Sequence, residues 1–427
     1  MLSTTSLLLV IVLCVLIFIT LIRNWLSADK CSIWSPITFI SLTLIYYVVM
    51  PSLDGLSRHG ADAVENQSLF YWASVIFFLS LLIGFSFRTK TRFTKWNKLL
   101  DIKHIQADAV ILFLFALICY IPFRGFRTTI WADDAYIVTD REGFVSYFID
   151  LISLFCASTA MLLAYFKTQK YKLRYGLTFL PILYLTLIFY IVGGFRIRIV
   201  YLIIAMLTMY HLYPMPRKIN YPLALIVGII VYLGFAIMDS SRQYGQGINR
   251  EKLSEITLSE TTDGAGENED VCCFSIIAMD NYHKFGNYEY FEPIVNAICM
   301  PIPRAIAPWK PDGEYMRRAQ IRTIGSSEGG AAFLNYVEGY ISFSWFGVIL
   351  YGLFMGFISR IFWDNYYYNK SSIGAILLLA LFNGFCYQWI SRGYLGGNFN
   401  SFIYYVILPF WLMSLFRFVK MSIKGNR

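Results

Sequence analysis

Long, nearly charge-free apolar stretches recur along this chain and leave it few ways to fold. They fall at 5–22, 36–52, 69–87, 108–122, 145–166, 176–193, 199–213, 221–238, 331–358, 373–391 and 401–416. A helix needs about 20 apolar residues to cross the hydrocarbon core of a bilayer, where the backbone must satisfy its polar groups internally. Only 15% of the residues are charged, against roughly 25% in a soluble domain. The expected fold class is therefore all-α: a polytopic integral membrane protein with about eleven transmembrane helices. The stretch from 5 to 22 lacks a basic n-region and a small-residue cleavage site, so it reads as a retained helix rather than a signal peptide. Three segments follow from this spacing: helices one to eight over 1–238, a large loop over 239–330, and helices nine to eleven with a tail over 331–427.

Orientation comes from lysine and arginine in the short loops, which favour the cytoplasm. One alternating set of loops is dense in them; Arg88, Lys90, Arg92, Lys95, Lys98 and Lys103 all fall between 88 and 103. The opposite set is sparse and arginine-only, with Arg58, Arg124, Arg127, Arg141, Arg196, Arg198 and Arg392. The expected N-terminus is periplasmic, the C-terminus cytoplasmic and the 239–330 loop periplasmic. Glu251 to Asp270 is acidic and solvated in character, whereas from Val271 onward apolar residues return, as expected of short amphipathic helices against the membrane-facing body. The net charge of +9 sits in loops beside lipid and points to no nucleic acid. The histidines are scattered and no pair of CxxC motifs occurs, so no metal site is expected. A bridge among Cys272, Cys273 and Cys299 is open if their loop faces an oxidising compartment.

Chemistry concentrates between Ile302 and Gly347. Arg304, Lys310, Arg317, Arg318 and Arg322 cluster there among Pro301, Pro303, Pro308 and Pro311. Such a cluster at a membrane surface suits a lipid-linked phosphate or, less specifically, anionic headgroups. Gly325 to Gly330 can form an anion cradle ahead of a helix or a plain hinge. Beyond it Asn335, Glu338 and Ser342 share one helical face. An ionisable residue in a membrane segment is a functional candidate: Glu338 is either a base for a hydroxyl nucleophile or the salt-bridge partner of Arg304, Arg318 or Arg392. Gly193-Gly194-Phe195-Arg196-Ile197-Arg198 adds two arginines at a helix junction, for phosphate or for snorkelling to headgroups. Asp133 and Asp134 fit an ordinary solvated loop better than a metal or base pair.

These residues resemble a known family. Trp34-Ser35-Pro36, Gly194-Phe195-Arg196, Ile302-Pro303-Arg304 with Lys310-Pro311, Glu338-Gly339-Tyr340 and Phe346-Gly347 look like the Wzy-type polymerases of lipid-linked oligosaccharide repeat units, as does the topology over nearly the whole length. Arg318 and Gly329 fit the arginine, ten residues, glycine spacing of some members' outer loops, without a second copy. The resemblance implies a GT-C-like glycosyltransferase that joins undecaprenyl-diphosphate-linked units at the periplasmic face of the inner membrane. It implies no cofactor and no metal. Its partners are the lipid-linked glycan and membrane lipid, with a chain-length regulator and a flippase of the same pathway as further candidates. Glu338 is then the catalytic base, and Arg196, Arg198, Arg304, Lys310, Arg318 and Arg392 the diphosphate-binding set. Trp309, Tyr315, Tyr336 and Tyr340 are candidates to stack on sugars or to anchor at the interface. An O-antigen ligase differs only in acceptor. A transporter or flippase of the same glycan needs mid-helix charges and paired repeats, whereas the charges here gather at helix ends.

Overall fold

The computed structural model of the chain describes residues 2–27, 29, 31–54, 56, 58–90, 93–132, 145–169, 172–193, 196–216, 228, 242–243, 247–250, 253, 266–303, 306–311, 313–325 and 332–425. The principal helices, in chain order, are α1 (Thr4–Leu26), α2 (Pro36–Leu53), α3 (Gln67–Ser86), α4 (Ile105–Phe123), α5 (Phe148–Thr168), α6 (Lys172–Val192), α7 (Arg196–Leu212), α8 (Glu267–Phe285), α9 (Glu292–Cys299), α10 (Glu314–Ile324), α11 (Asn335–Tyr367), α12 (Ile373–Ser391) and α13 (Leu395–Val419). Among the described residues, eight of these, α1 to α5 and α11 to α13, are long and apolar enough to cross a membrane. They coincide with eight of the eleven apolar stretches. The stretches at 176–193 and 199–213 are helical too, in α6 and α7, while 221–238 lies outside the described residues apart from 228.

The helices group into two compact units. One comprises Met1–Thr91, Gly266–Asn365 and Cys386–Ser401; the other comprises Arg92–Ala265, Tyr366–Phe385 and Phe402–Arg427. In the second unit a minimal antiparallel strand pair, Arg242–Gln243 with Gly247–Ile248, docks on the chain after α4 through Ile248 N to Ile130 O (2.9 Å) and Ala132 N to Ile248 O (2.8 Å).

In the first unit the core lies where α2, α3, α8 and α11 meet. α8 is capped as its sequence dictates. Glu267, Glu269 and Asp270 fill the first turn, His283 and Lys284 the last, and Gly286 follows in the left-handed conformation, each favourable to the helix dipole or to the last carbonyls. At 19 residues α8 is longer than the short helices expected there, and it buries Val271, Cys272, Cys273, Ile276 and Met279. The cysteines of the described chain are all free, so no bridge joins Cys272, Cys273 or Cys299. α11 packs on α3 through Gly352 and Gly356, a small-xxx-small pair that lets two backbones approach. A Cβ at Gly356 would stand 2.1 Å from Leu81 O, and one at Gly352 2.6 Å from Phe77 O.

Candidate active site

α11 is not a straight rod. Phe343 (φ −138°, ψ 25°) and Ser344 (φ 54°, ψ −142°) break it. Residues 335–342 form a first limb and 345–367 a second. In an unbroken helix Glu338 and Tyr351 would lie about 20 Å apart along the axis. Instead the Tyr351 hydroxyl is 3.4 Å from Glu338 Oε2, and Asn335 Nδ2 is 3.7 Å from Met355 Sδ. The first limb therefore runs back along the second. Gly339 and Gly347 form the tightest contact, since a Cβ at Gly347 would fall 1.9 Å from Gly339 O. A helix end leaves carbonyls unsatisfied. Here Glu289 N donates to Ile341 O (3.0 Å) and Tyr290 N to Ser342 O (3.1 Å), so the loop ahead of α9 caps the limb.

The fold-back puts Glu338 in a pocket of donors. Tyr315 Oη, from α10, donates to Oε1 at 2.9 Å. Leu395 N, at the start of α13, donates to the same oxygen at 3.0 Å. Among the described residues, Oε2 has only the long contact to Tyr351. The carboxylate is fully buried, and a buried charge is tolerated only when hydrogen-bonded or paired. Burial first, and then the adjacent Glu338 carboxylate, push the Tyr315 phenol well above the ordinary tyrosine value, so it stays a donor at neutral pH. The expected neighbours Asn335 and Ser342 are both buried; Ser342 Oγ donates to Glu338 O at 2.7 Å.

Arg318 and Arg392 are paired with other carboxylates. Arg318 Nε and Nη2 reach Glu289 Oε2 at 3.1 and 2.5 Å, and Nη2 also reaches Glu292 Oε2 at 2.5 Å. Its two acidic partners hold its charge firmly, raising its pKa above the ordinary arginine value. Glu289 is buried and also accepts from Tyr282 Oη at 2.7 Å. Arg322 lies over the Tyr282 ring, 4.6 Å from its centroid, and donates to Asn287 O at 2.7 Å. Arg392 Nη2 pairs with Glu267 Oε1 at 2.5 Å. Lys310 Nζ donates to Met300 O (2.7 Å) and Ile302 O (3.1 Å), a cation at the C-terminal end of α9. Of the salt-bridge partners named for Glu338, Arg318 and Arg392 thus go elsewhere. Arg304 lies outside the described residues, as do 326–330 of the glycine-rich loop.

In the second unit Arg196 opens α7 and is buried, and Arg198 Nη2 stands 3.7 Å from Asp150 Oδ1. Gly194, Asp133 and Asp134 lie outside the described residues. Three of the four candidate sugar-stacking aromatics are buried. Tyr336 stacks on Phe77 at 4.8 Å and bonds Ser74 Oγ at 2.6 Å, while Tyr315 and Tyr340 are under 2% exposed; Trp309 alone of the four is open, at 70%. Glu289, Tyr351 and the Leu395 amide escaped the sequence reading, and Glu267, expected as part of a solvated acidic stretch, instead opens α8 and pairs with Arg392. Each acts on a partner 13 to 125 positions away, across a break or between helices, where local spacing carries no signal.

Eight apolar spans among the described residues, a fold-back limb at the head of α11 and a buried carboxylate with aimed donors define a multi-pass helical membrane protein with a built polar site. The chain belongs to the O-antigen polysaccharide polymerase Wzy family, whose model matches residues 1–426. No curated protein and no solved structure matches it. The family is one of glycosyltransferases that join lipid-linked oligosaccharide repeat units, so of the polymerase, ligase and transporter readings the polymerase holds.

Proposed function

We propose that this polymerase works at the periplasmic face of the inner membrane, taking a glycan from undecaprenyl diphosphate and transferring it to the terminal sugar of an incoming lipid-linked unit. Eleven spans with the N-terminus outside and the C-terminus inside fit the chain. Contacts within each unit support the pairing of loops by side. Thr89 N binds Asp364 Oδ2 (2.8 Å), joining two segments assigned to the cytoplasm, as does Lys167 Nζ with Tyr213 O (2.5 Å). Ile248 N with Ile130 O joins two assigned to the periplasm.

The chemistry rests on the asymmetry of Glu338. Oε1 is saturated by two donors and fixes the carboxylate, leaving Oε2 as the atom to take a proton. The acceptor hydroxyl oxygen attacks the anomeric carbon of the donor, its proton passes to Oε2, and the sugar–oxygen bond to diphosphate breaks with the electron pair leaving on the diphosphate. Charge develops on that diphosphate, so cations belong there. Arg196, Arg198, Arg304, Lys310, Arg318 and Arg392 remain the proposed set. A phosphate reaching Arg318 has to displace Glu292, the more exposed of its two partners. A chain-length regulator and a flippase of the same pathway are proposed partners.

Deletion in the native host, with the surface glycan read on a gel, tests the reading. Single repeat units are expected, because a ligase still attaches one unit; loss of all surface glycan contradicts it. Complementation with Lys or Ala at each arginine ranks them, since Lys keeps charge but loses the bidentate fork. Wild-type polymer length in the Arg196→Ala, Arg304→Ala and Arg318→Ala variants, at normal protein level, overturns the diphosphate assignment.

A further inference from the structure

α9 has two unlike faces. Pro293, Asn296, Ala297 and Cys299 are buried in the first unit, whereas Ile294, Val295 and Ile298 are 37%, 44% and 63% exposed. Phe291, just before the helix, is 67% exposed, and 291, 294, 295 and 298 follow the i, i+3, i+4, i+7 rule of one helical face. The chain then turns through Ile306, 74% exposed, to Trp309. A contiguous run of large apolar side chains left open outside the spanning helices marks an interaction surface.

Its position says what covers it. The amides of Glu289 and Tyr290 tie the start of α9 to the last carbonyls of the fold-back limb, and Phe291 packs on Phe343 with ring centroids 5.0 Å apart. Phe343 sits at the break where the second limb of α11 sets out as a membrane span. That limb's own exposed stripe begins at once, with Phe346 at 62% and Ile349, Leu350, Phe354 and Phe357 beyond it. The open face of α9 thus continues the lipid-facing surface of a spanning helix at that helix's end. An amphipathic helix with an exposed tryptophan beside it has the make-up of an interfacial element, apolar face in the acyl boundary and polar face toward protein or water.

We propose that α9 and the turn to Trp309 lie in the bilayer interface, with Phe291, Ile294, Val295 and Ile298 among the acyl chains of the leaflet. The bound amides make α9 a float for the fold-back limb: its depth sets the height of Glu338 below the headgroups. This goes beyond the polymerase reading and does not rest on it.

The test uses the full chain in lipid nanodiscs. Nitroxide labels are placed singly at Ile294→Cys and Ile298→Cys, with Phe346→Cys as the lipid-facing reference and Glu314→Cys, on the exposed start of α10, as the aqueous one. Accessibility to oxygen is compared with accessibility to a water-soluble nickel chelate. Labels at 294 and 298 are expected to match the 346 reference, favouring oxygen over nickel severalfold. Matching the 314 reference overturns the proposal. Dipolar broadening between labels that grows as the discs are loaded with more chains also overturns it, because the face then covers a second copy. A second measurement avoids any cysteine variant. Tryptophan quenching by lipids with a nitroxide near the headgroup is measured for the wild type and Trp309→Phe. The part of the quenching lost with Trp309 is expected to be stronger for that lipid than for one labelled near the chain end; equal or absent loss overturns the placement.

Discussion

Replacing Gly347 by alanine strains the folded-back limb where it is tightest. A Cβ there lies 1.9 Å from Gly339 O. Carbon and carbonyl oxygen pack no closer than about 3.3 Å, so the limbs must part by about 1.4 Å at that level. The 3.4 Å contact between Tyr351 and Glu338, one turn away, then opens beyond hydrogen-bonding range. Its loss costs about 1 kcal/mol for so long a contact, and forcing the extra methyl into a packed site adds about 1–3 kcal/mol. The total of about 2–4 kcal/mol corresponds to a fall in Tm of about 4–16 °C for a cooperative unit of roughly 200 residues. The assay is a thermal melt of purified protein beside its polymerisation rate. Gly325→Ala is the control: its φ of +71° is strained for alanine, but open space surrounds the added Cβ. That strain costs about 1 kcal/mol. Gly347→Ala is expected to melt lower than the control and to polymerise more slowly. Wild-type melting with wild-type polymerisation in Gly347→Ala would refute the close packing of the two limbs.

Ser344 holds a positive φ of 54° without being glycine, a strain of about 1–3 kcal/mol; Ser344→Gly is expected to raise Tm and Ser344→Val to lower it, and the reverse order in a melt counts against the break. Arg318→Ala leaves buried Glu289 without its closest cation, which, discounted for the partial exposure of Arg318, costs about 1–2 kcal/mol. A lower Tm marks that structural share, and an unchanged Tm with lost activity assigns Arg318 wholly to substrate. Single-cysteine labelling at position 310 with an impermeant reagent, in a cysteine-free background, is expected without inner-membrane permeabilisation; labelling only after permeabilisation reverses the topology.

The helices were legible because lipid imposes a length and a composition on each crossing, and a run such as 373–391 meets both without reference to any neighbour. Glu338 was legible for the converse reason, as a carboxylate set in an apolar run. The break at Phe343–Ser344 was not. No proline or glycine marks it, and the amides of Glu289 and Tyr290 that cap the limb lie some fifty residues upstream. The stretch at 331–358 therefore read as one unbroken helix, while α11 folds back at Phe343–Ser344 before its long second limb. Arg318 read as a phosphate ligand or a partner of Glu338 because its carboxylates, Glu289 and Glu292, are 29 and 26 positions away. Charge patterning finds neighbours along a helix, not partners brought together by packing.

The role of Glu338 is tested most directly by polymerisation with purified Glu338→Gln protein in nanodiscs, on lipid-linked donor, counted per folded molecule. Glutamine keeps an oxygen to accept from Tyr315 and the Leu395 amide but cannot take the acceptor's proton. A base contributes about 10²- to 10⁴-fold, so a rate loss of that size is expected, with Tm and donor binding retained. Near-wild-type polymerisation per folded molecule would contradict the assignment and leave Glu338 as the structural clasp of the fold-back limb.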